Sequence, residues 1–328
     1  MQAPEFWYQP PGLCAALLSP LGALYAAGTA RRLRGGPRAR IGAPVICVGN
    51  INVGGTGKTP TVIALAKRLA RRGGHAHAVT RGFGGSLQGP VQVDPMRHKA
   101  TETGDEPLLL AAVLPTWVAR DRAAGAAAAV RAGARVILLD DGFQNPALAH
   151  DLSLVVVDAV RGFGNGRVIP AGPLREPVAM GLARADLLLS IGPDAAQEAF
   201  EQTWGAQVTV PRLKGNLVPL PTGLPPAGAP VLAFAGIGHP GKFFAMLKEL
   251  GVNLVWAEAL SDHQPLTEPL MTRLRARARA LGAQLVTTQK DAVRLPPRFR
   301  ALVVTIPVRL RLDDIAPLDA ALDGVLSA

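Results

Sequence analysis

The sequence predicts an α/β protein: a doubly wound parallel sheet, a second and smaller α/β lobe, and an N-terminal apolar membrane helix. Three features carry this expectation. A short apolar strand passes through a glycine-rich turn into an amphipathic helix between Pro44 and Arg72. Apolar strands then alternate with helical stretches through residue 205. A second alternation follows the run Leu217 to Pro230, whose five prolines mark a linker or hinge.

The chain opens with the membrane element. No charged side chain occurs from Phe6 to Ala30, and Arg31, Arg32, Arg34, Arg38 and Arg40 follow. At about 1.5 Å per residue a helix over this stretch approaches the roughly 30 Å of a hydrocarbon core. Gly12, Pro20, Gly22 and Gly28 argue against a straight spanning helix, while Trp7, Tyr8 and the arginines resemble interfacial anchors. Residues 1–40 are therefore expected to be a monotopic or single-pass anchor with a basic flank; a buried core helix is the alternative. Glu5 and the position of the arginines argue against a cleaved signal, and the positive-inside bias puts the rest of the chain in the cytoplasm.

The first lobe is expected over residues 41–216. Val45 to Val48 form a buried strand, and Val62, Leu65, Ala66 and Leu69 give the next segment helical spacing. His75 to Thr80 reads as a strand ending in the turn Arg81-Gly82-Phe83-Gly84-Gly85. Gly104-Asp105-Glu106-Pro107 precedes an apolar helix from Leu108 to Leu114, with the acidic pair where a helix N-terminus favours negative charge. Arg135 to Asp141, Leu152 to Asp158 and Ala185 to Ile191 read as strands buried on both faces.

The second lobe is expected over residues 217–328. Its strands are Val231 to Ala235, Leu254 to Glu258, Gln284 to Thr288 and Leu302 to Val308, with helices Phe243 to Leu250 and Thr267 to Leu281.

Composition narrows the function classes. With 48% hydrophobic and 18% charged residues the chain is globular, and its two cysteines, Cys14 and Cys47, support neither a disulfide framework nor a thiolate metal site. A net charge of +11 fits an anionic partner, although arginine-rich composition has the same effect in a GC-rich genome. Interleaved aromatics, zinc spacing and reader motifs are missing, so nucleic acid is not an expected partner.

The chemistry starts at Asn52-Val53-Gly54-Gly55-Thr56-Gly57-Lys58-Thr59, a P-loop. Glycines let backbone N–H groups converge on a phosphate at the N-terminus of the following helix. Lys58 supplies a point charge for the β- and γ-phosphates of ATP, and the Thr59 hydroxyl helps hold Mg²⁺. Asn52 stands where the strict pattern has glycine, an exchange read as tolerated because Asn accepts positive φ. Asp140 and Asp141 end an apolar strand, the place from which P-loop proteins orient Mg²⁺. Spacing does not say which of the two touches the metal shell.

A phosphotransferase also needs a group to orient and deprotonate its acceptor. Asp105, at a loop-to-helix junction, and His263, just after a strand of the second lobe, are the candidates, though by composition alone each reads first as a helix cap or a surface residue. Arg81, Arg122, Arg175 and Lys290 follow strands or lie in bounded loops, as anion-binding residues do.

Taken together these segments resemble one family, the tetraacyldisaccharide 4'-kinases that phosphorylate the lipid A precursor in Gram-negative bacteria. The resemblance rests on Pro44 to Pro60 (PVICVGNINVGGTGKTP), Thr80 to Gly85 (TRGFGG), Gly104 to Pro107 (GDEP), Leu139 to Gln144 (LDDGFQ), Pro170 to Pro177 (PAGPLREP), Asp262-His263 and Thr288 to Arg294 (TQKDAVR). It implies transfer of the γ-phosphate of MgATP to the 4'-hydroxyl of tetraacyldisaccharide 1-phosphate at the cytoplasmic face of the inner membrane, by a monomer whose two lobes close on ATP. It further implies that Asp105 and His263 act as the base pair, that Asp140 and Asp141 serve Mg²⁺ and catalysis, and that Arg122, Arg175 and Glu176 line the nucleotide and substrate cleft. Asn145 departs from the family's usual histidine and brings no charge near neutral pH. The competing expectation is a membrane-associated P-loop ATPase acting as a switch or partitioning protein, but Val53 occupies the place of that group's signature lysine.

Overall fold

The computed structural model describes residues 3–35, 38–220, 223 and 225–327. A single 3-10 turn (Glu5–Tyr8) leads into helix α1 (Leu13–Arg34). The first lobe then runs β1 (Val45–Gly49), α2 (Lys58–Arg71), β2 (Ala76–Thr80), β3 (Val91–Gln92), α3 (Ala100–Thr103), α4 (Asp105–Ala111), β4 (Thr116–Val118) and α5 (Arg122–Arg131). It continues through β5 (Val136–Asp140), β6 (Leu152–Asp158), α6 (Val178–Leu182), β7 (Leu187–Ile191), α7 (Asp194–Trp204) and β8 (Arg212–Pro219). After the crossing come β9 (Pro230–Ala235), α8 (Pro240–Glu249), β10 (Asn253–Ala259), α9 (Glu268–Ala280), β11 (Gln284–Thr288), α10 (Gln289–Ala292), β12 (Val303–Ile306), β13 (Val308–Leu312) and α11 (Ala316–Ser327).

Nine strands form one sheet in the order β13-β8-β7-β6-β1-β5-β2-β4-β3, parallel except for the outermost pair at each edge. Its central strand is β1, with Cys47 in register with Leu139 of β5 and Ser153 of β6. Alternate residues of β1 enter opposite cores: Val45 and Cys47 join the Ala-rich face of α5, while Ile46 and Val48 pack with Val62, Leu65, Ala66 and Leu69 of α2. That layering places the C-terminal ends of β1 and β5, and so the glycine-rich turn and Asp140, at one rim of the sheet. The second sheet is four-stranded, parallel, in the order β10-β9-β11-β12.

The chain is divided differently from the sequence expectation. Residues 217–219, read as linker, belong to β8, and the strand expected over Leu302 to Val308 is two strands broken at Pro307. Proline has no N–H for a ladder, so the strand cannot continue through it in the second sheet. Beyond Pro307 the chain returns to the first sheet: β13 pairs antiparallel with β8, and α11 buries Leu318, Leu322 and Val325 in the core under α2. Local alternation identifies a strand but not the sheet it joins. The two crossings run side by side, with Leu220 N–H donating to the Pro307 carbonyl at 2.9 Å. Residues 221, 222 and 224 of the expected linker lie outside the described residues.

Candidate active site

The turn between β1 and α2 has the conformation its glycines predict. Gly54 and Gly57 adopt φ of 106° and 96°, and a Cβ on Gly57 would lie 2.7 Å from Ile191 Cδ1, so that position requires glycine twice over. Asn52 is tolerated for a different reason from the one expected. It is not among the described residues with positive φ; instead its Nδ2 donates to the Gly162 carbonyl at 3.0 Å and its backbone bridges to Leu174. Val53 N–H donates to the Pro173 carbonyl at 2.8 Å, so the turn is braced from the side by the segment carrying Arg175 and Glu176.

Lys58 Nζ lies 3.7 Å from Asp141 Oδ1, and Arg175 Nη1 donates to the same oxygen at 3.0 Å. Burial pushes the Asp141 carboxyl up, but the charges of Lys58 and Arg175 outweigh it and hold the group below the usual carboxylate range. Asp140, next in the chain, goes the other way. Both its carboxylate oxygens are buried without a hydrogen-bond partner, and burial first, then the nearby Glu106, raise its pKa to about 8. Opposed shifts on two adjacent carboxylates are a pattern that active sites show. The backbone agrees: among the described residues only Asp141 and His263 are non-glycines at positive φ, 59° and 58°. Strain of this kind, of order 1–3 kcal/mol per residue, gathers at functional sites.

A second wall comes from the other lobe. His263 Nδ1 lies 3.1 Å from Asp105 Oδ2, and Arg294 Nε lies 3.5 Å from the same oxygen. Lys290 Nζ donates to Glu106 Oε1 at 3.1 Å and sits 3.2 Å from His263 Nε2. Asp105 and Glu106 open α4 in the first lobe, whereas His263, Lys290 and Arg294 belong to the second; the pair exists only while the lobes are together. Asp140 feels both Lys58 and Lys290, so the glycine-rich turn and the Asp105–His263 pair share one electrostatic site. Further along the cleft, Asp158 at the end of β6 pairs with Lys242 of α8, and Arg161 Nη1 donates to the Gly238 carbonyl at 3.5 Å.

Other predicted residues take indirect positions. Glu176, expected to line the cleft, is fully buried and accepts two bonds from Arg184 Nη2, both at 2.6 Å. It meets the site through Gln144, whose Nε2 donates to Glu176 Oε1 at 3.0 Å while its Oε1 accepts from Arg175 at 3.1 Å. Arg122 is buried too, with Nη1 donating to the carbonyls of Ala119 and Arg120. Sequence reasoning gave no role to Gln144, Arg184, Arg294 or the Asp158–Lys242 pair. Gln144 and Arg294 end the segments LDDGFQ and TQKDAVR, which was the only signal available for them.

The pair across the lobes implies a pH dependence. Burial raises Asp105, but contact with His263 and the charges of Lys290 and Arg294 carry it below its usual range; contact with Asp105 raises His263 against the effect of burial. The histidine's contribution is complete below its unfolded pKa and is lost as pH rises through the raised value. The aspartate's is present above its unfolded pKa and is lost as pH falls through the lowered one. His263→Ala is therefore expected to lower Tm more at about pH 6 than at about pH 9. Equal losses in a thermal melt at both values would mean that the imidazole is uncharged throughout.

Residues 14–327 match the family model for tetraacyldisaccharide-1-P 4'-kinase. The chain belongs to that family. It is 66% identical over 326 residues to the tetraacyldisaccharide 4'-kinase of Jannaschia sp. (strain CCS1), covering 99% of each chain. It is 67% identical over 327 residues to the enzyme of that name from Dinoroseobacter shibae, covering 98% and 97% of the two chains. Its fold is similar to a solved structure described as the apo form of LpxK from Aquifex aeolicus in complex with ATP, with a TM-score of 0.75 and 26% identity over 96% of this chain and 100% of that one. Membership in the tetraacyldisaccharide-1-P 4'-kinase family displaces the switch or partitioning reading. Asn145 holds a turn: its Oδ1 accepts from Ala147 N–H at 2.9 Å.

Proposed function

We propose that this kinase transfers the γ-phosphate of ATP to the 4'-hydroxyl of tetraacyldisaccharide 1-phosphate, forming lipid IVA in lipid A biosynthesis. The observation that carries the reading is the 3.1 Å contact between Asp105 and His263, which brings a base from two lobes to the rim that holds Lys58 and Asp141. Backbone amides of Gly54 to Lys58 and the Lys58 ammonium hold the β- and γ-phosphates, and Arg175 adds charge beside them. The acceptor hydroxyl gives its proton to Asp105, with His263 fixing that carboxylate, as its oxygen bonds to the γ-phosphorus and the bond to the β-phosphate oxygen breaks, releasing ADP. Because its two members come from different lobes, the base exists only while the lobes are together.

The oxygen donors fit Mg²⁺. Asp140 offers two unpartnered buried oxygens, and the hydroxyl of Thr59 and the Asp141 carboxylate lie on the same rim. Bound there, the ion would neutralise charge on the transferring phosphate. No cluster of three or more acidic, His or Cys ligands occurs among the described residues, so a bound ion would draw part of its coordination from oxygens outside the protein. Purified protein with MgATP and the acceptor is expected to give a product heavier by one phosphate. ATP hydrolysis without that product would defeat the assignment.

The reading includes attachment to the cytoplasmic face of the inner membrane, as a monomer, by α1 lying in the interface. Ala15, Gly22, Thr29 and Leu33 are buried on one side of α1, and a Cβ on Gly22 would lie 2.8 Å from the Val168 carbonyl. The opposite side leaves Leu13, Leu17, Leu21 and Leu24 exposed. Trp7 Nε1 donates to the Pro170 carbonyl at 3.0 Å, so the segment is seated on the catalytic lobe along its length, an arrangement that favours lying flat over crossing. Deleting residues 1–30 would uncover these buried contacts as well as remove the anchor. Replacing Leu17 and Leu21 by Asp is the cleaner test: vesicle affinity is expected to fall at least about tenfold at unchanged Tm. Undiminished flotation with anionic vesicles would place the attachment elsewhere.

A further inference from the structure

Phe83 is 65% exposed, yet its ring packs 5.5 Å from that of His263 in a tilted edge-to-face arrangement. One exposed apolar side chain is ordinary on a protein surface; what singles out Phe83 is its contact with His263, one half of the pair across the lobes. Its position is set by backbone contacts. Gly82 and Gly84 adopt φ of 69° and 80°, and Gly85 N–H closes the turn on the Gly82 carbonyl at 3.0 Å. Ser86 and Leu87 N–H then donate to the carbonyls of Thr101 and Glu102 at 3.1 and 2.9 Å. A Cβ on Gly85 would lie 2.4 Å from the Glu102 carbonyl oxygen, and one on Gly104 2.5 Å from that of Phe83. The turn carrying the ring and the turn preceding Asp105 are therefore in direct backbone contact, and the aromatic surface is held at a set offset from the carboxylate.

The acceptor hydroxyl has to come within hydrogen-bond reach of the Asp105–His263 pair, which brings the sugar ring bearing it alongside Phe83. A pyranose offers a face of C–H groups with slight positive charge, and an aromatic ring offers a negative face of similar size. We propose that Phe83 is the platform on which the hydroxyl-bearing sugar ring of the acceptor rests, and that it selects the acceptor by binding that ring beside the Asp105–His263 pair. This deepens the kinase reading above and rests on it. It also explains why the turn is built from glycines: side chains there would separate the platform from the base.

Phe83→Ala is expected to raise KM for the acceptor about tenfold, the loss of one aromatic contact with its area, while kcat and KM for ATP stay within about twofold. Phe83→Tyr keeps the ring and is expected to match the parent, whereas Phe83→Leu keeps apolar bulk without a π face and is expected to behave as the alanine variant. The same rise should persist with an acceptor carrying shortened acyl chains. A fall in kcat at unchanged acceptor KM would overturn the inference, since Phe83 would then only brace His263. An effect that vanishes with the short-chain acceptor would also overturn it, by assigning the ring to an acyl chain. Turnover of the parent enzyme on the acceptor is measured first, and its absence would overturn the kinase reading and this inference with it.

Discussion

Lys58→Ala is expected to lower phosphate transfer about 10³-fold, the usual scale for removing a preorganised charge from a transition state. Lys58 opens α2, and its ammonium stands 3.7 Å from Asp141 in a rim whose next cation is Arg175. Without it, Asp141 keeps Arg175 as partner and the turn keeps its glycine geometry, so folding is expected to survive while charge on the transferring group goes uncompensated. Lys58→Arg should rescue little, because a planar fork cannot occupy the place of a compact point charge. Single-turnover transfer from labelled ATP, with Tm as control, is the measurement. Activity within about tenfold of the parent would remove Lys58 from the transition state and leave the phosphate turn as a binding feature only.

The second large effect concerns the base. Asp105→Ala and His263→Ala are each expected to lower kcat by about 10²–10⁴, with ATP affinity nearly unchanged. The double variant should be no worse than the poorer single one, because the two residues meet at 3.1 Å and act as a unit. Multiplicative losses would show that they work separately. Asp105→Ala also leaves Arg294, 3.5 Å away with its side chain 8% exposed, without one of its counter-charges, so its Tm should fall as well. Comparing it with Asp105→Asn, which keeps the volume, separates that structural loss from the chemical one.

Much of the first lobe was legible because its signals are local. The period of Val62, Leu65, Ala66 and Leu69 places the α2 face, and those four side chains are buried as a group. Residues 152–158 and 284–288 were read as strands with the bounds that the structure has. Weakly patterned elements were not legible: β4 has three residues, and the Ala-rich α5 is nearly apolar on every side. The return of β13 and α11 to the first sheet left no mark in the sequence, since alternation such as Val308, Leu310 and Leu312 fits an edge strand of either sheet.

The candidate site divides in the same way. By itself the sequence determined the glycine-rich turn, its lysine and the acidic end of β5, because each depends on backbone conformation within a few residues: glycines at positive φ, a helix N-terminus, a buried strand that stops. Only the tertiary structure decided that Asp105 and His263 face each other, that Glu176 and Arg122 lie beneath the cleft, and that Asp140 and Asp141 are pushed in opposite directions. The physical reason is that contacts between residues far apart in the chain, and the burial and charge they bring, are properties of packing that no local sequence signal encodes.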